Sequence, residues 1–128
     1  MQLNPKEIIE RGIVIPSVFT EVQQVGIDLS VSEEVALLPG KSKNILLNET
    51  IKLPDDIYAQ FFQRSSYSRK GVFTTTGIYD PGYEGSLGCT LYNMGDEAII
   101  IPVNTRVGQL VCYSAQAASS YNGQWQGK

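Results

Sequence analysis

Gly77-Ile78-Tyr79-Asp80-Pro81-Gly82-Tyr83-Glu84-Gly85, running on through Ser86-Leu87-Gly88-Cys89-Thr90-Leu91-Tyr92 to Asn93-Met94-Gly95, reads as turn, strand, turn. Asp-Pro-Gly supplies a fixed φ and then a residue free of Cβ. The run over 85–92 is rich in apolar residues, and Asn93-Met94-Gly95 breaks it. Moving outward, the same rhythm repeats. Short β-like runs lie at 13–15, 26–31, 35–38, 42–47, 57–62, 98–102 and 107–113, with Pro39-Gly40 and Pro54-Asp55-Asp56 among the turns between them. Only the N-terminus departs from it. There Asn4 can cap a short helix, Pro5 suits its first position and Glu7 can complete a capping box; Leu3 and Ile8 are placed for a hydrophobic staple and Gly12 for a stop. Many short strands with one small helix and no internal repeat predict an all-β fold, an antiparallel barrel or jelly roll.

With 128 residues, 42% hydrophobic and 18% charged, the chain suits one domain with its own core. A net charge of −3 without a basic run argues against a nucleic-acid face, since such faces cluster Lys and Arg. The absence of histidine removes Ser-His-Asp and Cys-His chemistry and most zinc sites. Cys89 and Cys112 each fall within a strand-like run and read as reduced core thiols. Neither an apolar signal core nor a segment of membrane-spanning length is visible, so no membrane partner and a cytoplasmic location are expected. The small, polar stretch from Ala115 onward reads as a mobile tail.

Four segments could carry chemistry. Gln63-Arg64-Ser65-Ser66 follows a strand, with Arg69 and Lys70 close behind. Guanidinium and hydroxyl donors there could cradle phosphate, although a solvated loop has the same composition. Asp80, stiffened by Pro81, could orient and deprotonate a water, and Tyr83 offers a ring for a sugar to pack against; an ordinary turn explains the same residues. Asp28 inside the 26–31 run must be paired or solvated, and support of a basic neighbour is its expected role rather than catalysis. Arg106 and Gln109 could donate to phosphate or simply face solvent from a sheet.

Taken together and in order, these segments resemble the motifs of the dUTPase and dCTP deaminase superfamily. Gly26-Ile27-Asp28-Leu29 is similar to the first, Arg64-Ser65-Ser66 to the second, Ile78 to Gly85 to the third and Arg106-Val107-Gly108-Gln109-Leu110 to the fourth. The resemblance implies a distorted jelly-roll β-barrel, dUTPase-like, assembled as a homotrimer with active sites between subunits. It divides the chain into a barrel over 1–114, N-terminal helix included, and a flexible C-terminal flap over 115–128.

The branch is the sharper question. The N-terminal helix, the lead-in Gln23-Gln24-Val25-Gly26-Ile27-Asp28, the run Arg64-Ser65-Ser66-Tyr67-Ser68-Arg69 and the ending Tyr121-Asn122-Gly123-Gln124-Trp125-Gln126-Gly127 look more like the deaminases, and that ending is not the glycine-rich, arginine-led fifth motif of typical dUTPases. In that branch, however, a glutamate follows the third-motif Asp by ten residues and shuttles protons. Here Thr90 stands in that place, and a hydroxyl cannot hold and return a proton near neutral pH. Glu84, the nearest carboxylate, belongs to a turn. The resemblance therefore implies a dUTP diphosphatase that yields dUMP and pyrophosphate. The rivals are a dCTP deaminase, bifunctional or not, and a non-catalytic nucleotide-sensing homologue. Asp80 is the expected catalytic residue. Arg64, Ser65, Ser66, Arg69, Thr74, Tyr83, Gln109 and Trp125 are the expected substrate-binding residues, with Asp28 in support. Trp125 is expected to stack on uracil. Magnesium is the implied cofactor, held through phosphates and water rather than by protein ligands.

Overall fold

Period-two alternation of apolar and polar side chains builds the sheets of this computed structural model, which describes residues 1–128. In chain order the elements are α1 (Pro5–Glu10), β1 (Val14–Ile15), β2 (Glu21–Val22), β3 (Ile27–Ser30), β4 (Val35–Leu37), β5 (Ser42–Lys52), β6 (Ile57–Gln63), α2 (Ser65–Ser68), β7 (Val72–Thr75), β8 (Glu84–Asn93), β9 (Ile99–Ile101) and β10 (Arg106–Ser114). Every pairing is antiparallel. One sheet has the order β1-β5-β8-β7, a second β2-β3-β10-β6, and β4-β9 forms a separate ribbon. A bridge between Val31 and Leu47 joins the first two sheets. The all-β, jelly-roll-like expectation is met, together with the short N-terminal helix.

The core lies between the sheets. β8 turns Leu87, Cys89, Leu91 and Asn93 inward and leaves Ser86, Gly88 and Thr90 on its other face, half-buried. β5 buries Ile45, Leu47, Glu49 and Ile51 in the same rhythm. β10, flanked by β3 and β6, contributes Leu110, Val111 and Cys112. Both cysteines are free and buried. Burial pushes the Cys89 thiol up to about 11 and the Cys112 thiol up to about 12, so both stay protonated near neutrality. Leu29, Val31, Ala59 and Ile101 are also fully enclosed.

Several local expectations need correction. The helix is capped by Asn4, whose Oδ1 accepts from Lys6 N at 2.9 Å, but Glu7 makes no reciprocal bond to Asn4, so no capping box forms. Its end is a Schellman arrangement: Gly12, at φ 71°, donates to Ile9 O at 3.0 Å and Ile13 to Ile8 O at 3.1 Å. β5 runs on past residue 47 to Lys52, across a register irregularity between Leu46 and Thr50. The segment after Gln63 is one helical turn, not a loop. β2 and β7 are too short to announce themselves by alternation. No helix is long and apolar enough to cross a membrane.

Candidate active site

The outer face of β5 and β8 floors a cavity of about 690 Å³. Register places Asn44 opposite Thr90 and Leu46 opposite Gly88, so the floor sets a polar pair beside an apolar one. The chain over 75–83 walls one side, and Tyr121 and Trp125 close another. Gly88 is needed there, because a Cβ would lie 2.8 Å from Ile45 O. Tyr79 anchors the wall: its hydroxyl donates to Gly88 O, and burial pushes the phenol up to about 12, keeping it a donor. Ala59 and Tyr79 also exchange backbone bonds of 3.0 Å in both directions.

Asp80 stands on that wall, at the first position of a tight turn. Tyr83 N donates to Asp80 O at 3.0 Å, Pro81 follows, and Gly82 adopts φ 87°, the geometry of a type II turn. The Asp80 side chain is exposed and has no hydrogen-bond partner in the chain. It is also the only acidic side chain lining the cavity. Tyr83 is buried beneath it, its hydroxyl donating to Ser86 O at 2.7 Å and its ring meeting the edge of Tyr121 at 5.4 Å and 89°. Thr90 faces the cavity and donates to Asn44 Oδ1 at 2.6 Å.

A second group of expected residues gathers elsewhere. Arg64 Nη1 donates to Arg106 O at 3.2 Å, and Arg64 N to Val107 O at 3.1 Å, which brings the second and fourth segments together. Asp28 pairs in register with Gln109, uniting the first and fourth. Gly26 makes room for the Gln109 carboxamide: a Cβ there would lie 2.3 Å from Gln109 Oε1, an atom that is buried and unpartnered. Gly108 serves a similar end, since its Cβ would lie 2.4 Å from Phe62 O. Arg64, Ser65, Ser66 and Arg69 are all exposed. None of these residues lines the cavity that holds Asp80.

Two placements differ from the expected ones. Asp28 is buried, and its partner within the chain is Gln23, whose Nε2 donates at 2.8 Å; no cation of the chain pairs with it. Thr74 lies outside the cavity, its N–H donating across to Gln63 Oε1 of the other sheet at 2.7 Å and its hydroxyl to Thr90 O at 3.1 Å. Sequence reading overlooked Asn44 and Tyr121 as lining residues. Asn44 was accessible through register, because only the pairing of β5 with β8 sets it against Thr90. No cluster of three or more Asp, Glu or Cys is arranged to hold a metal ion.

The family model for dUTPase matches residues 15–124. A dCTP deaminase of Pyrococcus abyssi is 35% identical over 108 residues, 83% of this chain and 70% of that protein. The Pol polyprotein of ovine maedi visna related virus is 36% identical over 89 residues, 70% of this chain; the chain spans 8% of that polyprotein. Among solved structures, the native EIAV dUTPase superposes with a TM-score of 0.72 at 20% identity, covering 87% of this chain and 96% of that one.

Proposed function

This chain belongs to the dUTPase and dCTP deaminase superfamily, and on that premise we propose that it hydrolyses dUTP to dUMP and pyrophosphate. The observation that carries the proposal is the Asp80 carboxylate, the only acidic side chain at the cavity and free of any internal partner. Such a group can accept a proton from water while the water oxygen bonds to phosphorus. The bond across the α–β bridge breaks, pyrophosphate leaves with the bonding pair, and the proton rests on Asp80. Thr90 supports hydrolysis over deamination. It occupies the place of the deaminases' proton-shuttling glutamate, and its hydroxyl is engaged by Asn44.

The triphosphate needs cationic and hydroxyl donors, which Arg64, Ser65, Ser66, Arg69 and Gln109 supply in this reading. Tyr83 packs under the sugar, and Trp125 stacks on the base. Magnesium would be held through substrate phosphates and water, which satisfy an ion that keeps much of its own hydration, and when bound it would neutralise developing charge. No cluster of protein carboxylates is arranged to hold it, which leaves Asp80 free to take the proton. Two free, buried thiols suit a reducing compartment, and we place the reaction in the cytoplasm.

Incubation with dUTP or dCTP and magnesium, followed by separation of products, tests the reading. Pyrophosphate and dUMP from dUTP, with no ammonia from dCTP, is the expected result. The names of its archaeal relatives favour the second reading, dCTP deamination. Stoichiometric ammonia from dCTP would establish that reading and overturn ours.

Assembly follows from the separation of the two residue groups. The phosphate-gripping set and the Asp80 cavity occupy different places on one chain, which supports a site completed by a second copy. With the family resemblance, which implies threefold symmetry, we propose a homotrimer. Sedimentation should give a particle of about three times 14.1 kDa. A monomer that retains activity at the assay concentration refutes it.

A further inference from the structure

Residues 121–128 form no strand, yet they lie across the third-motif backbone of their own chain. The Gln126 carboxamide engages three main-chain groups at once. Its Nε2 donates to Gly82 O at 2.9 Å and, within the tail, to Tyr121 O at 3.3 Å, and its Oε1 accepts from Glu84 N at 2.8 Å. Gly127 N then donates to Glu84 O at 2.8 Å, and Tyr121 N to Pro81 O at 2.8 Å. Gly127 sits at φ 76°, a left-handed conformation that turns the chain immediately after Gln126. Trp125 lies between these anchors, borders the cavity, and donates its backbone N–H to the Tyr121 hydroxyl at 3.2 Å.

We infer that Gln126 is a positioning residue for the proposed reaction: its carboxamide clasps the tail in cis onto Gly82 and Glu84 and so holds Trp125 at the cavity before nucleotide arrives. A carboxamide can donate and accept in one plane, so this pairing fixes both the register and the orientation of the tail. The backbone groups it grips flank Tyr83, so one contact sets the tail and the ring beneath the cavity together. A flap that must order itself on binding carries an entropic cost, and a tail already clasped carries less of it. The inference rests on the proposed function only for the word reaction; the clasp itself is a property of the ligand-free chain.

Gln126→Glu tests it, because a carboxylate keeps the acceptor for Glu84 N but sets a second oxygen against Gly82 O. Gln126→Ala removes both bonds to the third-motif backbone, and the one to Tyr121 O with them. Without ligand, the Glu84 amide of the wild type should exchange hydrogen at least about tenfold more slowly than in Gln126→Ala. Trp125 is the only tryptophan in the chain, so its fluorescence reports the tail without labelling. Trp125 is exposed even with the tail clasped, so its anisotropy is the readout, and it should fall in both variants as the tail gains motion. Their kcat/KM for dUTP should fall about tenfold, in line with the lost backbone hydrogen bonds, while the melting temperature stays put. Equal Glu84 exchange in wild type and Gln126→Ala, or unchanged anisotropy, overturns the clasp. Altered exchange and anisotropy with unchanged kcat/KM overturns the positioning role. If the wild type does not turn over dUTP while both ligand-free readouts behave as expected, the proposed reaction fails and the clasp stands.

Discussion

Asp80→Asn is expected to keep nucleotide binding and to lose about 10²–10⁴-fold of turnover, the usual contribution of a general base. Asn is nearly isosteric and itself a good turn residue, so the turn over Asp80-Pro81-Gly82 should survive. What disappears is the capacity to accept a proton. Affinity for a non-hydrolysable dUTP analogue should hardly change and can rise, since a negative charge facing an anionic triphosphate is removed. If Asp80 only capped its turn, the pattern would be the reverse, with near-normal turnover in the variant. The geometry speaks against capping. The amides that a capping carboxylate would receive are already engaged, Gly82 N by Pro54 O at 3.2 Å and Tyr83 N by Asp80 O at 3.0 Å. Measuring analogue affinity and turnover on the same preparation separates the cases, and wild-type turnover in Asp80→Asn leaves the residue a turn former.

Much of this architecture was legible because strand alternation and turn chemistry are local. The run that became β8 lies between two turns spelled out by Pro, Gly and Asn, and its apolar residues face one way. The helix cap and its glycine stop were readable for the same reason. Legibility failed where partners are distant in sequence. Asp28 was expected to support a cation, yet Gln23 answers it, five residues back and on the far side of a turn. Thr74 looked available as a hydroxyl donor, but a carbonyl from β8 takes that hydroxyl. The tail looked featureless because Gln126 bonds to backbone groups, which leave no trace in side-chain identity. Sequence order does not disclose assembly: folding one chain unites the first, second and fourth segments with one another and leaves the third, with Asp80, facing a separate cavity.

Glu49 is the largest omission, and it carries a second large expected effect. Once the alternation of β5 is extended beyond residue 47, Glu49 falls in phase with Ile45, Leu47 and Ile51, and it is fully buried. No cation accompanies it. Ser30 N reaches Oε1 at 2.9 Å, while Ser30 Oγ, Ser17 Oγ and Thr20 Oγ1 reach Oε2 at 2.9, 3.0 and 2.6 Å. One carboxylate thus ties the loop before β2 to both β3 and β5. Glu49→Ala leaves four donors without their acceptor in a closed space, at about 1–3 kcal/mol for each that finds no substitute. Hydroxyls can rotate toward other acceptors, whereas the Ser30 amide cannot. The expected net loss is therefore roughly 3–5 kcal/mol, large against a typical domain stability of about 5–15 kcal/mol. Glu49→Gln should cost less, about 1–2 kcal/mol. Its carboxamide oxygen can still receive the Ser30 amide, and two of the three hydroxyls can turn to accept from its NH₂. Urea unfolding at constant m-value gives both numbers. An Ala variant as stable as wild type would mean that water already solvates the donors, and a Gln variant worse than Ala would mean that the hydroxyls are locked as donors.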